Sequence, residues 1–345
     1  MNDDDVAVAA TGLTKRFGDV LAVDDVTLAI PRGAMFGLLG PDGAGKSTTI
    51  RILATVLAAT SGDAEVFGHS VMHEATLVTP LVGYMPQKFS MYPDLTVAEN
   101  VDFFATIRGV PKAVRRQRSA QLLERMGLGP FASRRAGNLS GGMKQKLMLA
   151  SVLIHSPGLL LLDEPTTGVD PVSRREFWDI LGELREAGTT VLVATPYMDE
   201  AERCTQLAFL HNGRVQHAGT PAQIKALVPG TLVEVLAPDP RAALRVLDGV
   251  PGVLSAHVFG DVVRVLCTPD LTSATALRDR LAQAGIQASA TPATIDMETA
   301  FAAIADAPDE PAPDDSADTP HDESTPDDDD ATALAHSPAR RGGRP

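Results

Sequence analysis

The chain has 345 residues, a hydrophobic fraction of 44 % and a formal net charge of −14; twelve Asp or Glu and three Arg fall within residues 306–345, so the first 305 residues carry about −5. This charge distribution shows no basic stripe of the kind that a nucleic-acid-binding protein needs. The chain has two cysteines, Cys204 and Cys267, which exclude a disulfide framework and favour a reducing cytoplasm. The sequence has no apolar run of roughly 18 residues for a membrane span and no basic N-terminal start of a signal peptide.

Residues 6 to about 229 alternate short β-rich runs with helical stretches. This pattern predicts a layered α/β domain with a largely parallel sheet. In such sheets ligands bind beyond the carboxyl ends of the strands, so the residues that follow each apolar run are the first candidates for chemistry.

A glycine-rich stretch follows the apolar run "AMFGLL" and precedes the amphipathic run "STTIRILATVL". It fits the pattern G-x-x-x-x-G-K-[ST] in full, at Gly40-Pro41-Asp42-Gly43-Ala44-Gly45-Lys46-Ser47, and Thr48 continues it. The glycines let backbone N–H groups wrap a polyphosphate at a helix N-terminus. We expect Lys46 to reach the terminal phosphates and Ser47 to hold Mg²⁺, so the stretch predicts nucleotide binding.

A second capped helix start lies about one hundred residues later, in "NLSGGMKQKLMLASVLIHSP". Ser140, followed by Gly141 and Gly142, would begin a helix with a hydroxyl and exposed N–H groups directed at an anion. The same pattern also describes an ordinary capped helix, so its meaning depends on the neighbouring motifs.

Four consecutive leucines, residues 159–162, predict a buried strand, with Asp163 and Glu164 at its carboxyl end. Two adjacent carboxylates at a buried strand end are costly unless a cation or a proton transfer uses them. We expect Asp163 to hold Mg²⁺ and Glu164 to accept a proton from an attacking water. The alternative for Asp163 is an N-cap of the next helix.

The segment "VLVATPYMDEAE" reads as a buried strand that ends at Thr195 and turns into a helix at Tyr197. Pro196, at the turn, has neither an N–H nor a side-chain donor for a ligand.

Two further zones follow residue 229. Residues 230–305 read as strand, helix, strand, strand and helix before a final apolar stretch, which predicts a small α+β accessory domain of ferredoxin-like type. Residues 306–345 are rich in Pro and Asp with almost nothing to bury, and predict a disordered acidic tail.

Taken together, these motifs resemble those of ATP-binding cassette (ABC) ATPases. The stretch at residues 139–145 is similar to the family's LSGGQ signature, with Met143 in place of the usual Gln, and the resemblance covers residues 6–229. It implies a P-loop NTPase fold, with a RecA-like core, an antiparallel β subdomain and a helical subdomain at about residues 88–157. It also implies ATP and Mg²⁺ as ligands.

The resemblance assigns roles to further residues. Phe17 would stack on adenine; the alternative is that it is a phenylalanine of the hydrophobic core. Gln87 would contact Mg²⁺ and the attacking water; the alternative is that it is an amide in a surface loop. Asp170 would belong to the D-loop that crosses to a partner subunit, with a helix cap as the alternative. Pro196 stands where the family usually has the histidine that senses the γ-phosphate, so hydrolysis is expected to be slower.

Residues 91–110, 139–147 and 163–178 are similar to ATP-binding subunits of drug and polysaccharide exporters. The resemblance implies a cytoplasmic chain on the inner face of the membrane, coupled to a separate permease. It would dimerise head to tail around ATP with a second ATP-binding subunit, as a homodimer or a heterodimer, so that Ser140, Gly141 and Gly142 serve the partner's nucleotide. Two alternatives stay open: a nucleotide-sensing subunit that hydrolyses weakly beside a competent partner, and a soluble ABC ATPase without a permease.

Overall fold

The computed structural model of the protein describes residues 5–268 and 273–305, which fall within one compact unit. The predicted acidic tail, residues 306–345, lies outside the described residues. The helices are α1 (Lys46–Leu53), α2 (Ala75–Val78), α3 (Val97–Ile107), α4 (Lys112–Arg125), α5 (Gly141–Leu153), α6 (Pro171–Glu186), α7 (Met198–Ala201), α8 (Pro221–Ala226), α9 (Pro240–Leu247), α10 (Ala274–Gln283) and α11 (Met297–Ala305).

The strands of this part of the chain form three sheets. They are β1 (Val6–Phe17), β2 (Val20–Pro31), β3 (Met35–Leu39), β4 (Ser61–Val66), β5 (His69–Ser70), β6 (Val82–Met85), β7 (Leu159–Asp163), β8 (Thr190–Thr195), β9 (Gln206–His211), β10 (Arg214–Gly219), β11 (Thr231–Leu236), β12 (Val253–Phe259), β13 (Val262–Cys267) and β14 (Ser289–Ala293).

The central sheet has the strand order β10-β9-β3-β8-β7-β6. Its strands pair in parallel except for β10, which is antiparallel to β9. Strands β3, β7 and β8 are buried along their whole length, which explains their continuous apolar runs, because elements cover both faces of a parallel sheet. The predicted α/β fold is confirmed, and the carboxyl ends of β3, β8, β7 and β6 meet at one edge.

Two further parts of the structure flank this sheet. The antiparallel sheet β2-β1-β4-β5 shares a hydrophobic core with α1 and one face of the central sheet. Helices α3, α4 and α5 lie in the chain between β6 and β7, where the helical subdomain is expected, and they contact one another. The proposed domain boundaries stay predictions.

The C-terminal part has the element order β11-α9-β12-β13-α10-β14 and an antiparallel sheet ordered β12-β13-β11-β14. This is the ferredoxin-like arrangement that the sequence suggested. The sequence reading missed strand β14, because its residues, SATPA, show no apolar alternation and include Pro292. Proline is tolerated here since β14 is an edge strand.

Helix α11 packs against α7 and α8 of the N-terminal part rather than continuing the small domain. Met297 and Ala300 are buried in the same core as β9, and the ring of Phe301 stacks on Phe209 with centroids 5.2 Å apart. The helix that follows the ferredoxin-like part is therefore anchored on the N-terminal part by hydrophobic contacts. Among the described residues, no helix has the length and apolar character to cross a membrane.

Candidate functional site

The four loops that follow β3, β8, β7 and β6 form the candidate site. Leu39 pairs with Thr195 and Asp163 pairs with Ala194, so the glycine-rich loop, the Pro196 turn and the Asp163 strand end leave the sheet at the same level. Met85 pairs with Leu162, which brings the segment that carries Gln87 to this edge as well. Residues distant in sequence thus converge through strand register alone.

The glycine-rich loop has a backbone that side chains would obstruct. Gly40 has φ 149° and Gly45 has φ 102°, both conformations that other residues rarely adopt. A Cβ at Gly40 would collide with the carbonyl oxygen of Leu210, and one at Gly45 with that of Ala22. Two glycines of the motif are therefore required by the fold of the loop itself.

Lys46 is the first residue of α1 and is 4 % exposed. Its Nζ donates to the carbonyl oxygens of Gly40 at 2.8 Å and Pro41 at 2.9 Å, so the ammonium is held inside the loop. Burial lowers the pKa of Lys46, and the nearby carboxylates of Glu164, Asp42 and Asp163 act in the opposite direction. A buried cation at a helix N-terminus is an arrangement that attracts phosphate.

Asp163 ends β7 and is fully buried. Its Oδ1 accepts a hydrogen bond from Ser47 Oγ at 2.7 Å, whereas Oδ2, also buried, has no hydrogen-bond partner among the described residues. A buried carboxylate oxygen without a partner is costly unless a ligand uses it. Hydroxyl and carboxylate oxygens are ligands suited to Mg²⁺, so Ser47 and Asp163 fit the predicted metal.

Glu164 adopts φ +47°, a left-handed conformation that is unfavourable for a residue with a side chain. Its backbone N–H donates to the carbonyl of Ala194 at 2.9 Å, which helps to hold this conformation. Oε2 of Glu164 accepts hydrogen bonds from Gln87 Nε2 at 2.7 Å and from Thr167 Oγ1 at 3.2 Å. The structure therefore brings the predicted base and the predicted glutamine into direct contact.

The Pro196 turn offers no side-chain donor at this edge. The preceding Thr195 is 1 % exposed and donates its hydroxyl proton to Glu200 Oε2 at 2.6 Å. The N–H of Tyr197 donates to the same hydroxyl oxygen at 3.1 Å. Thr195 is thus engaged on both sides and has no second proton to give to a nucleotide.

No hydrogen bond or ion pair among the described residues joins Phe17, Ser140 or Asp170 to this cluster. Phe17, at the end of β1, is 48 % exposed with Lys15 Nζ 5.0 Å from its ring centroid, so the core alternative is wrong. Ser140 caps α5 by accepting from Met143 N at 3.3 Å, and Asp170 caps α6 by accepting from Ser173 N at 2.9 Å. No hydrogen bond or ion pair within the described ranges links Ser140 to the glycine-rich loop.

Both caps also belong to one packed contact. Gly141 is exposed, and Gly142 is buried so closely against Ser173 that a Cβ would lie 2.5 Å from it. The backbone hydrogen bond from Ser173 lowers the pKa of the exposed Asp170. The helix-cap alternative for Asp170 is therefore observed, and its role toward a nucleotide stays a prediction.

Sequence reasoning missed Thr167 and the buried pair of Glu200 with Arg174. Glu200 stands in the segment "VLVATPYMDEAE" that carries Pro196, but a polar helix start does not reveal that its side chain is buried. Thr167 follows the acidic pair and shows no apolar pattern.

Comparisons with known proteins agree with this geometry. Residues 23–167 match the family model for ABC transporters. The chain is 41 % identical over 272 residues to the probable multidrug ABC transporter ATP-binding protein YbhF of Escherichia coli (strain K12), a match that covers 78 % of this chain and 47 % of YbhF. It is 40 % identical over 251 residues to the daunorubicin/doxorubicin resistance ATP-binding protein DrrA of Streptomyces peucetius, covering 72 % and 76 %.

Solved structures give the same assignment. An ATP-binding subunit of an ABC transporter superposes with a TM-score of 0.59 at 29 % identity, over 64 % of this chain and 92 % of that one. A dimeric ATP-binding cassette bound to ADP and Pi gives a TM-score of 0.57 at 27 % identity, over 62 % and 98 %. The chain spans about half the length of YbhF and about three quarters of DrrA. It belongs to the family of ABC transporter ATP-binding proteins.

Proposed function

We propose that the protein binds ATP with Mg²⁺ and hydrolyses it as the ATP-binding subunit of an exporter. The observation that carries this proposal is the convergence of Lys46, Ser47, Asp163, Glu164 and Gln87 at one sheet edge. The buried oxygen Oδ2 of Asp163 has no partner there among the described residues, which is the arrangement a metal-bound triphosphate would complete.

The phosphates would lie on the glycine-rich loop at the N-terminus of α1. Backbone N–H groups of residues 43–48 and the helix dipole favour negative charge at this position. Lys46 would exchange its bonds to the Gly40 and Pro41 carbonyls for phosphate oxygens. Phe17, half-exposed at the end of β1, offers an aromatic face to the adenine.

Ser47 and Asp163 would hold Mg²⁺, with Gln87 as a further ligand. Mg²⁺, when bound, supplies charge that neutralises the phosphate oxygens. Glu164 would accept a proton from the attacking water, and its hydrogen bonds to Gln87 and Thr167 fix the direction of the carboxylate. The left-handed backbone of Glu164 agrees with this assignment, because strained positions are enriched at active sites, although five other described non-glycine residues also have positive φ.

A second ATP-binding subunit, either another copy of this chain or a different chain, is required for a complete site in this proposal. The chain carries one glycine-rich loop and one signature segment, and Ser140 and Gly141 are exposed on α5, accessible to a partner subunit. Closure of a head-to-tail dimer around ATP, followed by hydrolysis, would alternate two arrangements of an attached membrane permease. The names of the relatives YbhF and DrrA, which refer to multidrug transport and to daunorubicin/doxorubicin resistance, support an export role.

Pro196 favours one second candidate function, a nucleotide-sensing subunit that binds ATP and hydrolyses it weakly. The γ-phosphate loses a side-chain donor at this position, and Thr195 cannot replace it because its proton goes to Glu200. Glu164 and its partner Gln87 are nevertheless in place, which favours hydrolysis.

The test is Glu164→Gln in the purified full chain with MgATP. Loss of a general base should lower kcat by roughly 10²–10⁴-fold, and the variant should accumulate an ATP-bound dimer visible by light scattering. Glu202→Gln, a surface substitution on a residue paired with Lys225, serves as the matched control. Equal hydrolysis by the wild-type protein and Glu164→Gln would contradict the proposal.

A further inference from the structure

A buried carboxylate, Glu200, lies directly behind the candidate site. It belongs to the short helix α7 and is 1 % exposed. Removing a carboxylate from water costs roughly several kcal/mol. Ion pairs and hydrogen bonds offset this cost only when their geometry is good. The residues that pair with Glu200 therefore indicate what its buried carboxylate does.

Three groups from three different elements meet at Glu200. Thr166 donates a short hydrogen bond to Oε1, and Thr195 donates to Oε2 at 2.6 Å. Arg174 Nε lies 3.4 Å from Oε1; this is an ion pair without hydrogen-bond geometry, since the same Nε has no hydrogen-bond partner among the described residues. Both carboxylate oxygens thus have partners, and one of those partners is a cation that Glu200 shares with Asp199.

Each partner holds a different part of the site. Thr166 lies two residues after Glu164, in the turn that leads to the D-loop. Thr195 is the residue before Pro196. Arg174 lies in the first turn of α6, the helix that Asp170 caps. One carboxylate therefore ties together the segment after the proposed base, the Pro196 turn and the start of the helix that follows the D-loop.

Arg174 closes the arrangement around Pro196. Its guanidinium lies 4.2 Å from the ring centroid of Tyr197 and pairs with Asp199 at 3.2 Å. The N–H of Tyr197 returns to the Thr195 hydroxyl at 3.1 Å. The residues on both sides of Pro196 are held by this network, although Pro196 itself has no polar side chain.

We propose that Glu200 is a positioning residue for hydrolysis: through Thr166, Thr195 and Arg174 it keeps the Glu164 turn and the Pro196 turn in one fixed relation. Glu200 touches neither substrate nor water in this role. The inference rests on the proposed function, because it assumes that Glu164 acts on an attacking water. It explains how the edge keeps its shape where no imidazole is present.

The role predicts a specific kinetic signature. A positioning network at the base changes the rate of the chemical step, whereas Lys46, Ser47 and the glycine-rich loop, which dominate ATP binding, lie outside it. Glu200→Gln and Thr195→Val in the full chain should each lower kcat about tenfold, the effect of one charge-assisted hydrogen bond, with KM for MgATP within about twofold of the wild-type value. Thr195→Ser, which keeps the hydroxyl, should recover most of the rate that Thr195→Val loses.

The controls separate this role from a purely structural one. Glu202→Gln makes the same chemical change just after α7, on a half-exposed residue, and should leave kcat and the melting temperature unchanged. Binding of a fluorescent trinitrophenyl ATP analogue, measured in every variant, reports whether the nucleotide site is intact. A fall in kcat with unchanged analogue binding supports the proposal.

Three results would overturn it. Wild-type kcat in Glu200→Gln and Thr195→Val, with Glu164→Gln inactive, would reject the positioning role and leave the proposed function in place. Loss of analogue binding together with a lowered melting temperature in both variants would show that Glu200 only stabilises the fold. A wild-type protein that hydrolyses no faster than Glu164→Gln would reject the proposed function, and this inference with it.

Discussion

Replacing Pro196 by histidine tests the most unusual residue of the site. Residue 196 directly follows Thr195, which pairs with Leu39 at the start of the glycine-rich loop, and Glu164 N donates to Ala194 O at 2.9 Å. A side chain at position 196 therefore leaves the sheet between the phosphate loop and the proposed base. Pro196→His would supply an imidazole donor there, and Pro196→Ala would remove the ring without adding one.

The size of the effect follows from one hydrogen bond. A bond to a charged group contributes about 1.5–3 kcal/mol when it is made to the transition state. Since about 1.4 kcal/mol corresponds to a tenfold change in rate, Pro196→His should raise kcat by roughly 10- to 100-fold. KM should change much less, because Lys46 and Ser47 remain as they are.

The assay is steady-state phosphate release by the full chain at varied MgATP, with melting temperatures recorded for each variant. Pro196→Ala accounts for any effect of the lost ring on the turn, whose neighbours Thr195 and Tyr197 are held independently of it. If Pro196→His hydrolyses ATP no faster than Pro196→Ala while both keep the wild-type melting temperature, position 196 does not limit hydrolysis.

Three further predictions concern single contacts. Phe17→Ala should weaken ATP binding by about 1–2 kcal/mol and Phe17→Trp should preserve it, as measured by titration with a fluorescent ATP analogue. Gly142→Ala should lower the free energy of unfolding in urea by about 1–3 kcal/mol, because its Cβ would lie 2.5 Å from Ser173. Gly182→Ala, in α6 with no described heavy atom within 4 Å of its Cβ position, should instead raise it by about 0.5–1 kcal/mol. Burial, and then the charge of a nearby arginine, lower the pKa of His155 from 6.5 to about 4, so below pH 6.5 the unfolded chain binds a proton that the folded chain does not. As the pH falls from 6.5 to about 4, the free energy of unfolding of the wild-type protein should fall by about 1–2 kcal/mol relative to that of His155→Gln. This value is reduced because His155 is partly exposed. Urea unfolding measured across this pH range tests it, and parallel pH profiles for the two proteins would contradict it.

The sequence predicted those elements whose local hydrophobic or capping pattern matches the environment in which they pack. The leucine run that ends at Asp163 is a wholly buried strand, and Ser140 begins a helix that it caps. Strand β14 was missed because its five residues carry neither apolar alternation nor β-branched enrichment, and its pairing with β11 supplies the order instead. Periodicity cannot report a strand whose stability comes from its neighbour.

The candidate site shows a similar division. The glycine-rich loop could be read directly, since Gly40 and Gly45 are required by backbone geometry that the motif encodes. The left-handed backbone of Glu164 depends on a hydrogen bond to Ala194, thirty residues away in sequence, and no local pattern encodes it. Contacts between loops of different strands, such as Gln87 with Glu164, became visible only once the strand order was known.

Helix α7 lies between α11 and the sheet edge that carries the candidate site. A helix of four residues is far too short to be stable by itself, so its place is set by what packs on it. On one side its Glu200 joins Thr166 and Thr195; on the other, Met198 lies in the hydrophobic cluster that holds Phe301 of α11. Because both contacts involve the same short helix, we expect that displacing α11 would change the support of the Pro196 turn. Helix α11, which follows the ferredoxin-like part in the chain, therefore contributes to the support of the site's edge.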